Sequence, residues 1–150
     1  MSEERVIVPG VKKISHAELQ AFLEERCREP GLTNCDRDEL SEAAACSVVV
    51  ASRGSACGEK CLLRAKEEAL LPLSGVFSAC EVAYVITVIR VSEENLTMSD
   101  FSDVMNGVET KVRAMAAGDN GIRRFLHLLS VTGEGDTAMV DIILTGESAV

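Results

Sequence analysis

The residues that could perform acid–base or nucleophilic chemistry are few in this chain of 150 residues. It has two histidines, His16 and His127, and neither stands at a recognisable spacing from a serine or cysteine nucleophile. Asp141 interrupts an apolar stretch, where a carboxylate can serve as a base but more often faces water on the open side of a sheet. The sequence therefore predicts no catalytic residue.

The sequence also has few residues suited to a phosphate site or a metal site. Gly133 and Gly135 lack the third glycine of a phosphate loop, and the acidic side chains beside them would repel a phosphate. Cys57 and Cys61 are separated by three residues rather than the two that zinc and redox motifs use. We expect neither a cofactor nor a bound metal.

The cysteines point to covalent cross-links instead. All six lie in the first 80 residues, at Cys27, Cys35, Cys46, Cys57, Cys61 and Cys80. An even number confined to the least regular part of a chain favours three disulfides, and hence an oxidising compartment, over buried free thiols in a cytosolic protein. Fifteen pairings are possible, and the spacing does not choose among them.

Composition narrows the classes of partner. The net charge is −9 and aromatic residues make up 3%, which disfavours nucleic acid, because phosphates would be repelled and stacking surfaces are scarce. No apolar run reaches the roughly 18 residues of a membrane helix, so we expect no membrane insertion. Residues 1–5 do not resemble a signal peptide, so a secreted form would be a processed one. The acidity serves solubility or attracts a basic protein.

The hydrophobic pattern predicts a single domain over residues 1–150, with a cysteine-rich half (1–80) and a more regular half (81–150). In the first half a capping box at Ser15 and Glu18 starts a helix that stops before Pro30. Then follow a short helix from Asp36, a strand at 47–50, a loop at 53–58 and a helix at 59–71, ended by Pro72.

The second half reads as strand, helix, strand, strand. The expected elements are a central strand at 82–91, an amphipathic helix at 99–117, and two strands at 125–131 and 138–144 joined as a hairpin by the loop 132–137. This order predicts an α+β fold, in which helices pack on an antiparallel or mixed sheet.

Four short motifs resemble those of parvulin-type peptidyl-prolyl isomerases. They are RAKEEAL at 64–70, CSVVV at 46–50, FSDV at 101–104 and DIIL at 141–144. The resemblance implies an inactive isomerase, because Val104 stands where the family has its cysteine and Asp141 where it has a core histidine. Valine can neither donate nor accept a proton.

A second resemblance is to subtilisin propeptides, whose opening is similar to YVITVI at 84–89 followed by Ser92, Glu93 and Glu94. It implies a ferredoxin-like, non-catalytic inhibitor of a subtilisin-like serine protease, in which Glu134 and Asp136 cap helices of the enzyme. The C-terminal tail would then enter the active-site cleft of the protease. In this chain the tail consists of Gly146, Glu147, Ser148, Ala149 and Val150.

In combining both resemblances, the chain is similar to the microneme secretory proteins of apicomplexans. This similarity implies secretion. The strand-helix-strand-strand pattern also suits an adhesion module similar to a SEA domain. The glycine–serine cleavage motif of that domain is replaced here by Gly135, Asp136 and Thr137.

Overall fold

A computed structural model gives the fold and describes residues 12–28, 42, 45, 48–73, 80–115, 122, 124–132 and 137–148. These residues form five strands and three α-helices. In chain order they are β1 (Lys12–Lys13), α1 (His16–Arg28), β2 (Val48–Cys57), α2 (Cys61–Leu70), β3 (Cys80–Ser92), α3 (Met98–Met115), β4 (Arg124–Thr132) and β5 (Thr137–Ser148). A short 3₁₀ helix, Glu93–Asn95, precedes α3.

The strands make one mixed sheet in the order β1-β2-β5-β3-β4. Strand β5 is antiparallel to both β2 and β3, and β4 is parallel to β3. Strands β2, β3 and β4 therefore run in the same direction, and α2 and α3 are the crossovers between them. The predicted α+β class with a mixed sheet packed by helices is confirmed.

Helices cover both faces of the sheet. Alternate strand residues such as Val85, Ile89 and Ile142 pack under α2 and α3, whereas Ile86 and Ile143 pack with Leu19 and Leu23 of α1. Two apolar cores result, one on each side. The element order after β2 is helix, strand, helix, strand, strand. This order differs from the ferredoxin-like arrangement that the propeptide resemblance implies.

The predicted helix signals hold in the described elements. Ser15 and Glu18 form the capping box: the Glu18 N–H donates to Ser15 Oγ at 3.1 Å, and the Ser15 N–H to Glu18 Oε1 at 2.9 Å. Helix α3 buries Phe101, Val104, Val108 and Val112, which recur at three and four residues. The predicted helix from Asp36 lies outside the described residues, apart from positions 42 and 45.

Two predictions about the sheet are wrong. Residues 53–57 belong to β2 rather than to a loop, because all ten residues of that strand pair with β5 despite the glycine and serines among them. Strands β4 and β5 are not a hairpin, since β3 lies between them and pairs with both. The long apolar strand β3 is buried better in the interior of the sheet, with a neighbour on either side, than it would be at an edge.

Gly54 sets the distance between β2 and α2. A Cβ atom at this position would lie 2.1 Å from the carbonyl oxygen of Ala65 and 2.7 Å from the amide nitrogen of Ala69. Nearby, the Ser52 hydroxyl donates to the Ala69 carbonyl at 2.5 Å and satisfies a carbonyl in the last turn of the helix. The absence of a side chain at Gly54 thus lets helix and strand meet at backbone distance.

Candidate functional site

The parallel strands bring several loops to one end of the sheet. Cys57, the last residue of β2, pairs with Thr137 at the start of β5, and Ser92 at the end of β3 pairs with Thr132 at the end of β4. We call this region the loop end, comprising residues 57–60, residues 92–98 and the adjoining termini of β4 and β5. The carboxyl ends of parallel strands are where α/β proteins most often build binding sites.

The first loop of the loop end, residues 57–60, is held in a fixed shape. Gly58 and Lys60 both have left-handed backbones, with φ of 86° and 57°. Glycine adopts this conformation without strain, whereas lysine does not. Arg64 fastens the loop to α2, because its guanidinium donates to the carbonyl oxygens of Cys57 and Glu59. The start of α2 therefore has a defined position at this end.

The second loop is equally well connected. The Asn95 amide donates to the Ser92 hydroxyl at 3.0 Å, and Thr97 Oγ1 accepts from the Asp100 N–H at 3.0 Å as the cap of α3. Between these contacts, Met98 is 65% exposed, an unusually open position for a large apolar side chain. Met98, the first residue of α3, is thus presented to solvent beside a loop held by hydrogen bonds.

Exposed acidic side chains are numerous at the loop end. The acidic residues with exposed or partly exposed side chains at the loop end and in the first two turns of α3 are Glu59, Glu93, Glu94, Asp100 and Asp103. Lys60 and Arg64 offset them only in part, Lys60 Nζ lying 3.8 Å from Asp100 Oδ1. At the opposite end of the sheet, here called the far end, Lys111, Arg113 and Arg124 are exposed where α3 ends and β4 begins.

The residues predicted to bind a protease fall into two groups. Glu134 and Asp136 lie outside the described residues, in the segment between Thr132 and Thr137, whose two ends belong to the loop end. Gly146, Glu147 and Ser148 lie in β5, where they pair with Val82, Glu81 and Cys80 of β3. Their backbone is part of the sheet and not a free tail; Ala149 and Val150 lie outside the described residues.

The described cysteines give the disulfide prediction no support. Cys57 carries an exposed free thiol, and Cys61 is buried at the start of α2. Cys57 pairs with the first residue of β5 and Cys80 with the last, so these two lie at opposite ends of the sheet, too far apart for a disulfide. The side chains of Cys27, Cys35, Cys46 and Cys80 are not described, and their pairing stays a prediction.

The sequence suggests that Asp141 faces water, but the structure buries it. Its side chain is 7% exposed and forms a two-pronged ion pair with Arg53, directly opposite on β2, at 2.6 Å and 3.2 Å. The hydrogen bond to Asp141, with the charge of the carboxylate, raises the pKa of Arg53, although burial acts against it. A carboxylate held in this way braces two strands and is not placed to act as a base.

His127 joins β4 to α3. Its Nε2 lies 3.0 Å from Glu109 Oε2, and the Arg113 guanidinium lies 4.0 Å from Glu109 Oε1 and 4.8 Å from the centre of the Phe125 ring. Thr87 is the register neighbour of His127 on β3 and is fully buried. The order carboxylate, imidazole, hydroxyl resembles a catalytic triad, but no hydrogen bond joins Thr87 to His127, and substrate has no access to Thr87.

The position that the isomerase resemblance compares with a cysteine lies in the core. Val104, at the parvulin cysteine position, is fully buried in the core beneath α3. Within the described part of the chain, no three His, Cys, Asp or Glu side chains are grouped to hold a metal ion. None of the helices described is long and apolar enough to cross a membrane.

Sequence reasoning missed the contacts that connect distant segments. Arg53 had been placed in a loop, and no local signal pairs it with a carboxylate 88 residues away. Glu109 and Arg113 do carry a signal, since a spacing of four on a helix puts opposite charges side by side. The contact of Glu109 with His127 depends on how the helix crosses the sheet.

Comparison with known proteins gives a fold but no family. No family model matches the chain, and neither does any curated protein. The fold is that of part of FtsZ: an empty FtsZ dimer from M. jannaschii matches with a TM-score of 0.65 and 17% identity, over 86% of this chain and 36% of that one. The W319Y mutant of the same FtsZ matches with a TM-score of 0.65 and 17% identity, over 87% and 38%. The chain thus spans less than two-fifths of these FtsZ chains.

Proposed function

We propose that this chain is a non-catalytic protein-association domain, a regulator whose binding surface is the loop end. The observation that carries the proposal is the convergence of the β2–α2 and β3–α3 connections with the end of β4 and the start of β5 at one end of the sheet. The two connections are braced by hydrogen bonds, carry exposed carboxylates and lie at the same end of the sheet as the exposed Met98. An apolar side chain within a charged rim on rigid loops suits binding to another protein.

The charges select the partner. Glu59, Glu93 and Glu94 favour a positively charged protein surface, and the far end of a second copy, with Lys111 and Arg113, offers one. The FtsZ from M. jannaschii that shares the fold was solved as a dimer, which also supports association between like chains. We therefore propose end-to-end contact between copies, loop end to far end. Such a heterologous interface adds subunits in one direction.

Reversing the charge of the loop end is expected to abolish this association. In the Glu93→Lys/Glu94→Lys variant, two attractions at the interface become repulsions, so the dissociation constant should rise at least about tenfold. Sedimentation equilibrium over a series of protein concentrations measures it. Salt should weaken the association of the unaltered protein, because exposed charges are screened.

The control variant is Glu24→Lys/Glu25→Lys, which makes the same change of charge on the exposed side of α1. It should associate like the unaltered protein or more tightly, since it lowers the net negative charge without touching the loop end. A protein that stays monomeric at all concentrations and salt levels would contradict self-association. Equal weakening by both variants would show that the loop end is not the surface.

A subtilisin-like serine protease is the second candidate partner, favoured by the propeptide resemblance. Glu134 and Asp136 lie in the segment attached to the loop end, and carboxylates bind readily to helix N-termini, where the helix dipole is positive. On this hypothesis the protein is secreted and inhibits the enzyme. Residues 146–148 are in β5, so they would not enter a cleft as a free tail.

Saturable inhibition of a subtilisin-like protease by the intact protein is the expected result for this partner. Glu134→Lys and Asp136→Lys should each weaken inhibition about tenfold, because a cation at a helix N-terminus is repelled. The residual protease activity in a steady-state peptide assay measures the effect, with Glu24→Lys as the control. If the intact protein leaves the protease fully active, this partner is excluded, whereas the sedimentation result is unaffected.

A further inference from the structure

Two buried polar atoms on adjacent strands have no hydrogen-bond partner among the described residues. They are Thr87 Oγ1 on β3 and His127 Nδ1 on β4. The two residues are direct register neighbours, and both side chains point to the face that α3 covers. Thr87 is fully buried, and its neighbour on the other side is Ile142 of β5. The surroundings are otherwise apolar, with Val85, Ile89 and Val108 in the same core.

A buried hydroxyl and a buried ring nitrogen without partners destabilise a fold, because each loses its hydrogen bonds to water. The Glu109 contact decides what the ring nitrogen needs. The carboxylate accepts from the Nε2–H of His127, so in the neutral ring Nδ1 carries a lone pair and requires a donor. The Thr87 hydroxyl can donate, but it is not hydrogen-bonded to Nδ1.

We propose that one internal water molecule binds between Thr87 Oγ1 and His127 Nδ1, beneath α3. The water accepts the Thr87 O–H and donates to Nδ1, so one ligand satisfies both atoms. Water is the ligand whose chemistry fits, because it both donates and accepts and is small enough for a closed core. The result is a polar chain from Thr87 through the water, His127 and Glu109 to Arg113, which is 51% exposed.

The test is a pair of isosteric substitutions of threonine by valine. Thr87→Val removes the donor to the water and leaves Nδ1 and the water poorly bonded, so the unfolding equilibrium constant should rise about tenfold. Thr145→Val is the control. Thr145 Oγ1 is also buried without a partner among the described residues, but its register neighbours, Val49 and Tyr84, are not imidazoles. Thr145→Val should not raise the constant.

A direct readout accompanies the stability measurement. A crystal structure at a resolution that shows ordered water should have a density peak within hydrogen-bond distance of both Thr87 Oγ1 and His127 Nδ1. Long-range ¹H–¹⁵N NMR should find the neutral His127 ring protonated at Nε2. If Thr87→Val stabilises the protein as Thr145→Val does, and no density peak lies between the two side chains, the proposal is overturned. A ring protonated at Nδ1 would also overturn it.

Discussion

Substitution of Gly54 by alanine is expected to lower the free energy of unfolding by about 3 kcal/mol, the upper part of the range for overpacked cores. The added methyl group would overlap the backbone of α2 at Ala65 and Ala69, and backbone atoms cannot rotate away as a side chain can. Helix α2 would have to lift from β2 and break the hydrogen bond from Ser52 to Ala69. Urea unfolding followed by circular dichroism measures the loss.

Gly107 in α3 provides the matched control. A Cβ there would lie 2.8 Å from Lys66 Nζ, the far end of a flexible side chain that can move aside. Alanine also favours a helix interior over glycine by about 1 kcal/mol. Gly107→Ala should therefore leave the stability unchanged or raise it slightly. If both alanine variants were equally stable, the close approach at Gly54 would be wrong.

Arg53→Met is expected to destabilise the fold by about 2–3 kcal/mol, because it leaves the Asp141 carboxylate buried without its partner. The value lies below that of a fully buried pair, since the Arg53 side chain is 56% exposed. The stability of Arg53→Lys should lie between those of the unaltered protein and Arg53→Met, because an ammonium group keeps the charge but not the two-pronged geometry. Chemical unfolding at neutral pH measures all three.

The double variant Arg53→Met/Asp141→Leu separates loss of the pair from loss of packing. Without the carboxylate no buried charge is left unpaired, so the double variant should recover most of the stability lost in Arg53→Met. Destabilisation of the double variant by the sum of both single effects would mean that the ion pair contributes nothing through its charges. The contact would then be incidental to the sheet.

Local patterns predicted the elements of this fold well. The capping box at Ser15 and the apolar repeat of α3 describe interactions within a few residues, and such interactions are visible in the sequence. The predicted strand at 82–91 differs from β3, Cys80–Ser92, only at its ends. The α+β class followed from the order of these elements.

The arrangement of the sheet was not predictable in the same way. Nothing local in residues 132–137 distinguishes a hairpin loop from a connection between two strands that are not neighbours in the sheet. Glycine and serine at 54 and 55 suggested a loop, but pairing with β5 and close packing of α2 outweigh their weak strand preference. In both cases tertiary contacts decide the structure.

The site residues that the sequence predicts stay predictions. Glu134 and Asp136 were singled out, and the ends of their segment do belong to the loop end. The other carboxylates of that surface, such as Glu59 and Glu93, come from separate loops that only the parallel course of β2 and β3 brings together. The sequence predicts a tail over residues 146–150 because small residues suit an extended segment, whereas residues 146–148 use the same property to pair within β5.

The central position of β5 also sets an order of assembly. Val48 at the start of β2 pairs with Gly146 near the end of β5, and β3 contacts β2 only through that strand. During synthesis, α2, β3, α3 and β4 can associate locally, but β2 has no strand beside β3 to join until β5 has left the ribosome. Such long-range closure makes folding slow and leaves the edges of β2 and β3 exposed meanwhile. Pairing of β5 with β2 and β3 is thus the folding step that joins two partial sheets into one.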